Sequence, residues 1–223
     1  MPAKFSPIAL NDFLLTAAIF CILTFFEPFP LSWIPKVIPM LILIAVVMPL
    51  KQDKQCRWFF IGLIFSACGD VLLAVYGGEL FVFGLSAFLI AHLFYLAYLL
   101  PIEITRGGLV RILPYLIYGT IMMTILYPNL GPLSIPVVIY MVVLMAMGIA
   151  ALLSKKSHPW LVVGSISFIV SDSIIGVNKF VVDVPYSHFL IMVSYYFAQI
   201  CLVFGVFTNQ QQQLTENSSK TML

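Results

Sequence analysis

About eight apolar stretches, each of roughly 20 residues and nearly free of charge, succeed one another along this chain with only short polar breaks. That succession leaves few folds open. Because a bilayer offers no water to backbone groups, such stretches cross it as helices, and the chain is expected to be an all-α polytopic membrane protein. The spans are placed at about residues 9 to 27, 31 to 50, 57 to 77, 80 to 100, 109 to 127, 133 to 153, 159 to 180 and 187 to 208. Tight turns separate them, marked by Glu27-Pro28-Phe29-Pro30, Gly77-Gly78, Pro128-Asn129 and Asp183-Val184-Pro185.

Composition agrees. With 62% hydrophobic and 9% charged residues and a mean hydropathy of +1.08, the chain has too little polar surface to cover a soluble globule. Residues 1 to 208 are therefore read as one transmembrane domain, and the polar residues 209 to 223 as a disordered tail. The first stretch follows Lys4, is as long as a span and lacks a small-residue cleavage site, so it is expected to stay as an anchor. Net charge is only +2, without a basic block, which gives nucleic-acid binding no footing. The four cysteines, Cys21, Cys56, Cys68 and Cys201, lie far apart and read as packing thiols.

Positive charges set the orientation. Lys4, Lys51, Lys54, Arg57, Arg106, Arg111, Lys155, Lys156 and Lys220 all map to one side, Lys36 and Lys179 near the opposite helix ends excepted. The positive-inside rule puts that side, with both termini, in the cytoplasm.

Two acids break the apolar pattern. Asp70 sits within Phe60 to Val75 and Asp172 within the seventh stretch, where a charge costs roughly 3 kcal/mol on insertion scales and normally has a use. Gly62 to Asp70 and Gly164 to Asp172 share the spacing G-x7-D, and each acid is followed by a segment bearing FLI, at Phe88 to Ile90 and Phe189 to Ile191. Four spans separate the copies, which suggests two parallel four-helix halves about an axis along the membrane normal. At 1.5 Å per residue both acids lie about 20 Å from the cytoplasmic helix ends, level in the outer half.

Several polar residues share that depth or lie near it. Lys36 enters the second span from the outer side, Lys179 is two turns beyond Asp172, and His92, Tyr95, Tyr195, Tyr196 and Gln199 lie closer to the midplane. Gly62, Ser66, Gly69 and Gly77 form a small-residue strip beside Asp70, and Ser171 and Ser173 flank Asp172 with hydroxyls able to donate to it. Two carboxylates in unlike surroundings suit acid and base work. The same pair would also serve as a structural ion pair with Lys36, or as a relay in a proton- or cation-coupled transporter. His92 has no second or third ligand at helical spacing, so no metal site is expected. Walker, dinucleotide and HExxH motifs are missing, and Gly84-Leu85-Ser86-Ala87-Phe88 lacks the closing glycine of a nucleophile elbow.

Four strings taken together resemble a known family. Phe65-Ser66-Ala67-Cys68-Gly69-Asp70, the run from Phe83 through His92 to Tyr95, Ser171-Asp172 with Asn178-Lys179-Phe180, and Tyr195-Tyr196-Phe197-Ala198-Gln199 are similar to signatures of the YhhN-like lysoplasmalogenases. Lys36 before Pro39 resembles that family's lysine on the second helix. The resemblance implies a hydrolase that splits the vinyl ether of a lysophospholipid, lysoplasmalogen, into a fatty aldehyde and glycerophosphocholine or glycerophosphoethanolamine, without a cofactor. It implies Asp70 and Asp172 as the catalytic pair and Lys36, His92, Tyr95, Asn178, Lys179, Tyr196 and Gln199 as substrate-binding residues.

Overall fold

The computed structural model describes residues 5–75 and 80–221. Its eight α-helices are α1 (Pro7–Leu23), α2 (Trp33–Val47), α3 (Lys54–Ala74), α4 (Phe81–Leu99), α5 (Arg106–Leu126), α6 (Ser134–Leu153), α7 (Pro159–Phe180) and α8 (Ser187–Thr221). Each is long and apolar enough, with its adjoining 3-10 turn where there is one, to cross a membrane. The chain is an integral, multi-pass membrane protein. The expected turn at Gly77-Gly78 and the last residues of the third predicted span lie outside the described residues, as does Lys4.

Helix starts follow ordinary capping chemistry. Asp53 Oδ1 accepts from the backbone N–H groups of Gln55 and Cys56, both at 2.9 Å, at the start of α3, and Thr105 accepts from Gly108 at 3.0 Å at the start of α5. Once the helices are formed, small residues decide which of them approach closely. A Cβ on Gly69 would sit 2.6 Å from the Phe88 ring, and one on Gly164 would sit 2.9 Å from the Ala198 carbonyl oxygen. These glycines let α3 lie against α4 and α7 against α8, the two most intimate pairs of the bundle.

Packing repeats across the halves. In α1 to α4 the second helix packs on the third and the third on the fourth, and α5 to α8 do the same, while α4 packs on α6 as α8 packs on α2. The least buried of the spans is α5. Only 11% of its apolar window is buried, against 44% for α3, so it leans on α6 and α7 from outside.

One expectation is corrected. The polar segment after Thr208, read as a disordered tail, continues α8 to Thr221. Its first residues find partners on neighbouring elements: Asn209 donates to the Lys156 carbonyl at 2.9 Å and to Tyr98 Oη at 3.4 Å. Gln210 Oε1 accepts from Cys56 Sγ at 3.4 Å. Such anchoring lets the helical ladder run on through polar sequence.

Candidate active site

On α3, Gly69 admits the Phe88 ring, which helps bury the neighbouring Asp70 to 2% exposure. Its carboxylate has two partners. Tyr195 Oη, from α8, donates to Oδ2 at 2.6 Å, and Lys36 Nζ, from α2, faces Oδ1 at 3.8 Å. Tyr196 fixes that lysine by donating to its backbone carbonyl at 2.7 Å. One turn away, Tyr95 Oη donates to Gln199 Oε1 at 3.1 Å and meets Ser66 Oγ at 3.0 Å.

Asp172, on α7, is met by the corresponding helices, α6 and α4. Tyr140 of α6 donates to its Oδ2, and His92 of α4 points Nε2 at the same oxygen from 4.0 Å. Thus each acid meets one side chain from the second helix of its own half and one from the fourth helix of the other half. The partners differ in chemistry. Where Asp70 has a cation, Asp172 has a phenol and an imidazole. The His92 Nδ1 contacts the Phe88 carbonyl, which can only accept, so in the neutral ring Nδ1 carries the proton and Nε2 presents a lone pair. That Nε2 is buried without a hydrogen-bond partner among the described residues. A distance of 4.0 Å is too long for a direct bond and leaves an acceptor aimed at the carboxylate.

The two partner sets adjoin. Phe88, Phe168 and Tyr195 pack edge to face at 5.5 to 6.2 Å, and His92 rests on Phe168 at 4.6 Å. Asp70 and Asp172 share no hydrogen-bonding side chain among the described residues.

Only the second acid reaches open space. A pocket enclosing about 660 Å³, its mouth included, lies beneath α5 between α4, α6 and α7. Asp172 forms part of its wall, among mostly hydrocarbon side chains such as Leu85, Met122, Leu144 and Phe180.

This architecture has relatives. The YhhN family profile matches residues 31–206. The chain belongs to the YhhN family. Similar proteins include a lysoplasmalogenase of Mycobacterium bovis, 35% identical over 174 residues covering 75% of this chain and 66% of the relative. Lysoplasmalogenase TMEM86A of Bos taurus is 34% identical over 163 residues, covering 68% of this chain and 66% of the relative. Lysoplasmalogenase TMEM86B of Mus musculus is 29% identical over 188 residues, covering 80% and 77%. The chain spans just under two thirds of the first two relatives' length. No solved structure matches it.

The YhhN-family residues singled out in the sequence separate into groups. Asp172 lines the pocket and His92 stands directly behind it. Lys179 is exposed on α7 with its ammonium 4.3 Å from the ring centre of Phe81, itself a pocket residue, so it marks the rim. Asn178 instead shapes the loop after α7, accepting from Val184 N–H at 2.9 Å. Lys36, Tyr95, Tyr196 and Gln199 are not among the pocket-lining residues and belong to the polar layer around Asp70. The serines beside Asp172 do not donate to it: Ser171 bonds the Ile191 carbonyl at 3.1 Å and Ser173 the Ile169 carbonyl at 2.7 Å. The donor that does so, Tyr140, is absent from the sequence reading. It is the one hydroxyl-bearing residue between Ser134 and Ser154 in an otherwise apolar helix, and a buried phenol needing an acceptor was the available signal.

Proposed function

We propose that this protein hydrolyses the vinyl ether bond of lysoplasmalogen, with Asp172 as the acid. The observation that carries the reading is the carboxyl group on the wall of a hydrocarbon pocket, held by Tyr140 and faced by the bare Nε2 of His92. Hydrolysis begins when Asp172 passes its proton to the outer alkenyl carbon, breaking the carbon–carbon π bond and leaving an oxocarbenium ion at the carbon attached to oxygen. Asp172, now anionic, faces that cation. A water molecule between His92 Nε2 and the substrate adds to the cationic carbon, gives a proton to the imidazole and forms a hemiacetal. Return of that proton to the glycerol oxygen breaks the old ether bond while the hemiacetal hydroxyl gives its own proton to the Asp172 carboxylate, yielding aldehyde and alcohol and restoring the acid.

Proton transfer from a placed acid is worth typically 10² to 10⁴-fold, and a preformed charge in a dry site adds further stabilisation of the cation. Asp70 holds fixed charge nearby through Lys36 and Tyr195 and acts as a positioning residue. Lys179, seven residues beyond Asp172 and so about 10 Å along the helix, takes the substrate phosphate at the rim. In this reading both termini are cytoplasmic and the pocket lies in the outer half of the bilayer, in line with the charge asymmetry of the chain.

The test uses purified full-length protein in detergent with lysoplasmalogen as substrate. Release of fatty aldehyde by the wild type, and its loss in a folded Asp172→Asn variant, supports the reading. Full activity in that variant removes Asp172 from the chemistry, and absence of any aldehyde from the wild type rejects the activity.

A further inference from the structure

Among the seventeen residues lining the pocket, four carry a polar group on the side chain, Tyr118, Tyr140, Asp172 and Ser173, and they form two adjacent pairs. The first pair, Tyr140 with Asp172, belongs to the chemistry proposed above. The second has no role there. Ser173 Oγ donates to the Ile169 carbonyl at 2.7 Å, and because a carbonyl oxygen cannot donate, the serine proton is committed. Tyr118 Oη must then be the donor in its 2.8 Å bond to Ser173 Oγ, which commits the tyrosine proton as well. What this pair offers the pocket is oxygen lone pairs and no free proton. Tyr118 is exposed on α5 and also lines the pocket.

We infer that Tyr118 and Ser173 form a subsite for a lipid hydroxyl group, which selects a glycerol backbone with a free hydroxyl beside the vinyl ether over one in which that oxygen is acylated. The inference rests on the lysoplasmalogen reading for the identity of the lipid. A hydroxyl donates into this pair. An ester oxygen and its carbonyl are acceptors only, and meet two more acceptors in an apolar wall, where an unmade hydrogen bond is costly. Sites built around a substrate hydroxyl reject analogues that lack one far more strongly than apolar pockets reject an extra group. Asp172 and Ser173 both line this pocket, so a lipid seated in it meets the two pairs together.

The probe is a non-hydrolysable ether, 1-O-alkyl-glycerophosphocholine, compared with its 2-deoxy analogue, with binding to the full-length protein in nanodiscs measured by calorimetry. The wild type should favour the hydroxylated lipid by about tenfold, the worth of one hydrogen bond. Tyr118→Phe should bring the ratio close to one by weakening only the hydroxylated ligand. Ser173→Ala frees the tyrosine proton and should raise affinity for the 2-acetyl ester relative to wild type. Equal wild-type binding of the hydroxylated and deoxy lipids, or an unchanged ratio in Tyr118→Phe, overturns the subsite. Selective binding without aldehyde release from lysoplasmalogen would retain the subsite and reject the hydrolase reading, so the two fail separately.

Discussion

The two halves of this molecule place an aspartate at matching positions and then equip it differently. Around Asp70 the carboxylate has an ammonium and a phenol and, one turn on, a Ser66–Tyr95–Gln199 chain of hydrogen bonds in which Gln199 Nε2 alone lacks a partner among the described residues, with no opening to the pocket. Around Asp172 the lysine is replaced by a phenol from α6, the phenol of α8 by an imidazole from α4, and the loosely seated α5 leaves a cavity beside them. Under the proposed function, a repeated helix packing keeps one acid as a structural charge while the other is available for chemistry. The contrast depends on which neighbours each helix presents more than on the acid itself.

The largest expected effect comes from removing the pocket-lining member of the pair, Asp172. Asp172→Asn should lower kcat for lysoplasmalogen by about a thousandfold with little change in unfolding temperature, read by aldehyde release and by thermal denaturation in detergent. Asp70→Asn should do the reverse in kind, because it leaves the Lys36 charge without its partner, only 13% exposed on its side chain. A stability loss of about 3 kcal/mol is expected, with part of it restored by adding Lys36→Met. Equal stability of the two Asn variants would erase the distinction between the halves. Tyr140→Phe removes the donor to Asp172 and should reduce kcat by roughly 30-fold, the value of a hydrogen bond to a charged group, while KM holds. If KM moves and kcat does not, Tyr140 binds substrate instead. The smallest effect compares the matched glycines. Gly164→Ala forces a Cβ against backbone at 2.9 Å, whereas Gly62→Ala meets chiefly the Tyr95 ring. Overpacking costs typically 1–3 kcal/mol, and Gly164→Ala should lie about 1 kcal/mol above Gly62→Ala in chemical denaturation.

Much of this was legible in the residues. Eight apolar runs announce eight helices because the hydrocarbon core demands a fixed length of each, and the G-x7-D spacing marks the two α3-like helices, in each of which the glycine packs on the next helix while the acid turns toward two others. The pairing of Lys36 with Asp70 was one of the readings left open by the sequence, and the structure takes it. Less legible was the direction of side chains around the bundle. By sequence, Tyr95, Tyr196 and Gln199 fall near the acids and closer to the midplane, but depth along a helix says nothing of azimuth, and they belong to the polar layer around Asp70 and not to the pocket wall. Ser171 and Ser173 adjoin Asp172 in sequence, yet on a helix successive residues point about 100° apart, and each hydroxyl finds a carbonyl instead. Polarity after Thr208 misled for a related reason: anchoring by Cys56, Tyr98 and Lys156 is long-range information that composition does not carry.

In the proposed hydrolysis, the poor seating of α5 bears on where the products would go. A cleft roofed by a helix that touches little else has its easiest exit sideways, into the surrounding acyl chains. A long-chain aldehyde formed there would diffuse off within the leaflet, while the water-soluble phosphodiester fragment departs past the Lys179 rim, so that the two fragments of one molecule part company at the moment they are made.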